Sequence, residues 1–274
     1  MGLSRLIALD FLIIKNLRIF NFLYIVNKRS VGADRTPNQL CHEYTMSYLK
    51  SNFRSISPFK ELNDGCILDA LFKHTVQWDA GKHQTLVREN TPVVGVSAVL
   101  AGAVMLWKTR SDGQNQVVGF LFPGDVIGAA AQNQHITSAR ALTNCEMMTI
   151  DRTVFGTLCR DYPALQHAIY GRILNDLTAV QEQLVILGLL NARERLAAGL
   201  LQLQKRQVAQ RCTTDARVWL PMRRTDLACY LGLQLPTLSR AFATLRSSGA
   251  IASHSMTEVE IRDRQALQAL AGTE

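Results

Sequence analysis

Six histidines (His42, His74, His83, His135, His167, His254) and six cysteines (Cys41, Cys66, Cys145, Cys159, Cys212, Cys229) are the residues best equipped to hold a metal or act as nucleophiles. Their spacing argues against both roles. The chain has no H-x-H, no His/Glu cluster at ligand spacing and no C-x-x-C pair, so neither a metal site, a zinc finger nor a dense disulfide scaffold is indicated. His74 and His83 read as surface or strand-end residues, and the thiols as reduced cysteines of a cytoplasmic protein. G-x-S-x-G, a phosphate-cradling Walker loop and a close acid pair with a partner base are all absent from the sequence. Catalysis is therefore not expected, and a small-molecule-binding or metal-dependent, cupin-like β-roll enzyme stands only as the alternative.

The remaining chemistry lies in arginines. Leu220 to Ile251 reads LPMRRTDLACYLGLQLPTLSRAFATLRSSGAI. A short helix is expected from about Arg224 to Leu231, ending at Gly232, where a missing side chain permits a sharp turn. A second begins near Pro236, since proline suits a first helical turn, and runs to about Ser247, with Ser248-Gly249 as its stop. Leu227, Leu231, Leu233, Leu238, Phe242 and Leu245 form a shared core. Thr237, Ser239, Arg240, Thr244 and Arg246 occupy the opposite face. This is a helix-turn-helix pattern, in which the first helix braces and the second enters the major groove of double-stranded DNA. Ile251 to Ile261 would add a β-hairpin wing. Arg240 has a guanidinium fork that can take guanine O6 and N7 together, and Arg223, Arg224 and Arg246 suit phosphates. Charge agrees: the +8 of the 274 residues divides into +3 over residues 1–45, zero over 46–190 and +5 over 191–274. A basic C-terminal third facing a polyanion is the consistent reading.

Other elements must position that helix pair. From Thr75 to Ile150 short β-rich runs (Thr85–Val87, Val93–Leu100, Val104–Lys108, Val117–Phe122, Glu146–Ile150) alternate with Gly, Asn, Asp and Pro breaks, which predicts an antiparallel sandwich or roll. Ser111-Asp112-Gly113-Gln114 reads as a hairpin turn. Beyond it, Asp161 suits an N-cap with Pro163 in the first turn. Leu165, Ile169, Ile173, Leu177, Val180, Leu184 and Leu187 then make one apolar stripe over about six turns. Packing on its own domain is one use for such a stripe. Its length between two domains fits a dimer seam better, through Ile169, Ile173, Leu177, Val180, Leu184 and Leu187. Asn191 and Glu194 form a capping box that opens a further helix. That helix buries Leu196, Leu200 and Leu203 and ends with Lys205, Arg206 and Arg211 on its polar side. The fold class is α+β.

Gly119-Phe-Leu-Phe-Pro-Gly-Asp-Val-Ile-Gly128 resembles the middle of the cyclic-nucleotide-binding-type β-roll of the CRP/FNR regulators. Asp226-Leu-Ala-x-Tyr230-Leu-Gly-Leu-x-Leu-x-Thr-Leu-Ser-Arg240, Arg246-x-Ser-Gly249 and Asn191-Ala-x-Glu-Arg-Leu-Ala-Ala198 resemble its FNR branch closely. The resemblance runs from about Phe59 to Gly272. It implies a homodimeric transcription regulator with a sensor roll, a dimerisation helix and a winged helix-turn-helix, working with RNA polymerase. Carried over by position, Ser239 and Arg240 match the base-reading serine and arginine. The family usually has a Glu three residues before that serine, accepting from cytosine N4; here Pro236 has no acceptor. Readout at that base pair should be relaxed or moved to Gln234 or Thr237, giving a half-site related to TTGAT but degenerate at one position. Thr237 and Pro236 thus complete the base-reading set.

The resemblance also bears on the signal. In cAMP-binding members a Gly-Glu and a later Arg-Ser hold the nucleotide; here Gly128 precedes Ala129, and His135 and Ile136 stand where Arg-Ser is expected. A cyclic phosphate would lack its counter-charge, which argues against cAMP; Arg140 is nearby but off register. An FNR-type iron–sulfur cluster is rejected, because Cys41 and Cys66 are isolated and Met148 stands at the roll's ligand position. Haem, nitric oxide through haem, small organic effectors and a redox thiol at Cys159 or Cys229 stay open. The expected organisation is an extension over 1–45, a sensor roll over 46–160, a dimerisation helix over 161–190 and a DNA-binding domain over 191–274. Leu3 to Val26 is apolar, but Asp10, Lys15 and Arg18 interrupt it, so no stable membrane span is expected. Three readings of the extension stand: a peripheral amphipathic helix over residues 3–26, a disordered tail, or, slightly favoured, sequence upstream of the natural start, with Met46 as the alternative start.

Overall fold

The computed structural model describes residues 65–129, 133–210, 212–214 and 216–272, all within one unit, Asn52–Glu274. The expectations for residues 1–45, including the alternative start at Met46, lie outside the described residues, as does Arg211.

The chain enters through α1 (Gly65–Lys73), which buries Ile67, Leu68, Leu71 and Phe72. Eight strands follow: β1 (Thr75–Ala80), β2 (Thr85–Val87), β3 (Gly95–Ala101), β4 (Val104–Thr109), β5 (Asn115–Leu121), β6 (Val126–Ile127), β7 (Ser138–Ala141) and β8 (Cys145–Asp151). They form two antiparallel sheets ordered β1-β8-β3-β6 and β2-β7-β4-β5. Ala80, Val99, Val104, Leu121, Ile127, Ala139, Ala141, Cys145 and Met147 fill the space between. The expected hairpin joins β4 to β5: Gly113 adopts φ 80°, and Arg110 N–H donates to Gln114 O at 2.8 Å. Three of these eight strands, β1, β6 and β7, are not among the runs expected from the sequence. β7 is Ser-Ala-Arg-Ala, with Ala139 and Ala141 fully buried, and small residues carry little of the β-branched signal by which strands are recognised.

α2 (Arg152–Asp161) starts at Asp151, whose carboxylate accepts from Thr153 N at 2.8 Å and Val154 N at 3.1 Å. α3 (Pro163–Leu189) is the long helix, 27 residues. Its N-cap is Tyr162, not the expected Asp161, which is still helical as the last residue of α2. Pro163 opens α3 without any side-chain cap, its missing N–H being one a helix start leaves unpaired anyway.

α4 (Ala192–Ala209) begins with the expected capping box: Asn191 accepts from Arg193 N and Glu194 N, and Glu194 accepts from Asn191 N at 2.9 Å. Leu196, Leu200 and Leu203 are fully buried. Lys205 is exposed as expected, but Arg206 turns inward to an ion pair with Asp125. β9 (Arg217–Trp219), α5 (Arg224–Tyr230), α6 (Leu235–Ser247), β10 (Ile251–Ser255), β11 (Glu258–Ile261) and α7 (Arg264–Ala271) complete a winged helix-turn-helix with sheet order β10-β11-β9.

Roll and winged domain share a core. Met105, Val117, Phe120 and Phe122 of the roll pack in one cluster with Leu200, Leu220, Tyr230 and Leu231. Phe120 meets Tyr230 edge-on at 5.1 Å, and Phe122 faces Trp219 at 6.2 Å. Beside them Gln116 Nε2 donates to Cys229 O at 2.9 Å, and Val117 N–H to Cys229 Sγ at 3.3 Å.

Candidate nucleic-acid interface

α6 is built to offer one face. Leu238, Ala241, Phe242 and Leu245 point into the core, at 3–4 residue spacing. Pro236, Ser239, Arg240, Thr244 and Arg246 are exposed, and Thr237 is half-buried. Gly232, at φ 62°, makes the turn from α5, where a Cβ would press on Arg195 and Leu187 at 3.2 Å. The N-cap of α6, Gln234, makes no side-chain cap hydrogen bond, and Leu235 and Pro236 in the first turn are exposed. Ser239 and Arg240 therefore share an accessible face one turn from the helix start, where recognition helices meet bases.

The three arginines assigned to phosphates are not equivalent. Arg224 lays its guanidinium over the Phe242 ring at 4.0 Å. Its Nη1 is buried without a hydrogen-bond partner, and burial followed by the Arg246 charge pushes its pKa below the usual value. Two cations drawn together at the start of α5 and the end of α6 favour an anion between them. Arg223 instead grips Asp226 with both arms of its fork, at 3.0 and 3.1 Å, and the Asp226 hydrogen bond holds its pKa up. That pairing ties down the start of α5 and leaves Arg223 a weaker hold on a phosphate.

On α3, Ile173, Leu177, Val180 and Leu184 of the expected stripe are exposed, at 46, 52, 58 and 64%. Ile169 and Leu187 are half-buried against their own chain, and Leu165 is fully buried. Tyr170, Leu174, Val185 and Leu189 extend the exposed face.

In the roll, His135 exchanges backbone hydrogen bonds with Asn90 and Thr91, and burial lowers its pKa. Ile136 is 53% exposed. Arg140, on β7, sits over the Trp107 ring at 5.6 Å. No group of three His, Cys, Asp or Glu gathers at metal distance among the described residues.

Residues 78–162 match the cyclic nucleotide-binding domain, and residues 194–270 the Crp-like helix-turn-helix domain. The nitrogen fixation regulation protein FixK of Azorhizobium caulinodans is 33% identical over 175 residues, 64% of this chain and 71% of that one. The transcriptional regulatory protein btr of Bordetella pertussis is 32% identical over 209 residues, covering 76% and 85%. The chain belongs to the CRP/FNR family of transcription regulators. FixK2 from Bradyrhizobium japonicum has the same fold, with a TM-score of 0.66 and 28% identity over 72% of this chain and 96% of that one. This CRP/FNR chain is a DNA-binding transcription regulator. No helix among the described residues is long and apolar enough to cross a membrane.

Sequence reasoning missed one group of residues. Asp125, Arg172, Arg206 and Gln210 come from the roll, α3 and the end of α4, and they meet in a single hydrogen-bonded cluster. Within the sequence, the Pro-Gly-Asp turn was the one available signal.

Proposed function

We propose that this regulator works in the cytoplasm as a homodimer closed along the exposed face of α3. Each protomer sets α6 into one half of a palindromic operator. The observation that carries this reading is the stripe Ile173, Leu177, Val180 and Leu184, an unpartnered apolar face continuous with Tyr170 and Leu189. Such faces are interaction surfaces, and two-fold pairing of one long helix is the simplest way to cover it. Dimerisation puts two recognition helices on one side of the duplex, as palindromic half-sites one helical turn apart require.

Arg240 reads guanine, Ser239 and Thr237 contact neighbouring base edges, and Pro236 leaves one base pair loosely specified. Arg224 and Arg246 hold phosphates, with Arg223 in a lesser role. The half-site is TTGAT-like and degenerate at one position. Bound at a promoter, the dimer acts on RNA polymerase. The signal is a small molecule, a gas or a redox change and not a cyclic nucleotide: His135 and Ile136 offer no fixed cation where the counter-charge is expected, and Arg140 lies off that register, over the Trp107 ring. Competition gel shifts with matched and scrambled operators test the DNA reading. Sedimentation tests the dimer, and an absorbance spectrum of protein purified without oxygen tests haem.

A further inference from the structure

Asp125 follows Pro123-Gly124 in the roll and is completely buried. One carboxylate oxygen accepts from Phe122 N–H at 2.8 Å and from Arg206 Nη2 at 2.9 Å. The other accepts from Arg172 Nη2 and from Gln210 Nε2 at 2.8 Å. Arg172 is itself held by Asp176, one turn further along α3, at 3.0 Å. One carboxylate thus ties three elements: the roll, the dimerisation helix and the last turn of the helix that carries the recognition unit.

The positions of these contacts matter more than their number. α3 and α4 are joined at Leu190 and Asn191. Arg172 lies 18 residues before Leu190, and Arg206 lies 15 residues after Asn191. At about 1.5 Å per residue, the lever arms are about 27 and 22 Å. Asp125 therefore closes a triangle opposite its corner, where it has most control over the angle between the two helices. A buried ion pair adds little net stability compared with apolar packing, but it is directional and tolerates few alternative arrangements. Its use here is geometric.

We propose that Asp125 is a positioning residue that fixes the α3–α4 angle and thereby the spacing of half-sites the dimer accepts. This rests on the dimer reading above. α4 packs directly on α6, so a change of angle at the corner moves the recognition helix relative to the dimer seam. One added base pair shifts a half-site by about 3.4 Å and roughly 34° around the duplex, so a rigid dimer accepts one spacer and a loosened one accepts several.

The test uses the full chain, a single half-site, and a series of palindromes whose central spacer varies one base pair at a time. Wild type should lose about tenfold or more in affinity for each base pair of change, a typical penalty for one defect in a site. Asp125→Asn and Arg206→Gln should cut discrimination among spacers to about threefold or less, with half-site affinity and dimer mass unchanged. Arg206→Gln leaves Asp125 paired with Arg172, so it carries the test should Asp125→Asn leave two buried cations that the fold cannot hold. Dimeric variants that keep wild-type spacer discrimination overturn the proposal, and so does an equal loss of half-site binding. A wild-type chain that sediments as a monomer on its operator refutes the dimer reading first, and the proposal with it.

Discussion

At the residue scale, α6 divides its work between a residue that can be read from type alone and one that must be read from what is missing. Arg240 is exposed on the face of α6 proposed to meet bases. A bidentate arginine–guanine pair contributes about 1–3 kcal/mol of discrimination, so Arg240→Ala should lower preference for the matched operator by roughly 5- to 150-fold. Competition with scrambled DNA checks this, and unchanged preference would remove Arg240 from the readout. Pro236 allows the opposite experiment. Pro236→Glu adds an acceptor for cytosine N4 in the first turn of α6, where the helix dipole welcomes a negative charge. Selection from a randomised operator should then sharpen the degenerate position toward one base pair. The placement of both residues on an exposed face of α6 was legible because it depends on one helix and its periodicity. Arg206 was not. A cation near a helix end looks solvent-facing in sequence, and its carboxylate partner is 81 positions away. Nothing in the spacing of either residue announces the other.

The elements show the same limit in another form. Periodicity gave α3 its length and its stripe, but a stripe does not state which neighbour covers which part of it. Leu165 is fully buried against its own domain, and Leu187 packs near the Gly232 turn. Leu177 and Leu184 stay 52 and 64% exposed on the single chain. Charge at those two positions should therefore act on association more than on folding, because exposed substitutions usually stay within about 0.5 kcal/mol of neutral. Leu177→Glu with Leu184→Glu should sediment as a folded monomer and lose palindromic operator binding, with its circular dichroism spectrum unchanged. A double variant that remains dimeric would place the seam elsewhere. Strands were less legible than helices. β7 is recognisable only from its neighbours, since Ala139 and Ala141 supply packing space and no pattern of their own.

At the scale of the whole molecule, the sensor roll and the winged helix-turn-helix meet across a seam whose ionisable groups need their protons. Composition suggested separate modules, a neutral middle and a basic end; the shared cluster of Phe120, Phe122, Tyr230 and Leu220 joins them. Cys212 packs against that cluster, and burial, then the Asp125 charge, push its pKa from 9.0 up to about 11. Tyr230, whose hydroxyl donates to Gln202 Oε1 at 3.1 Å, is also raised by burial, partly opposed by Arg206. Both shifts have the same sign. Above pH 9 the folded state holds a Cys212 proton that the unfolded chain releases, so stability falls with rising pH. The contribution is intact below the unfolded thiol value of 9.0 and is lost as pH climbs through about 11. Urea midpoints measured at steps from pH 8 to 11 should decline over that window, and Cys212→Ala should make the decline shallower. Asp125→Asn should make Cys212 more acidic by removing the second cause of its shift, so alkylation of that thiol should begin at lower pH. A decline of equal slope in wild type and Cys212→Ala would show that the thiol takes no part in holding the two halves together.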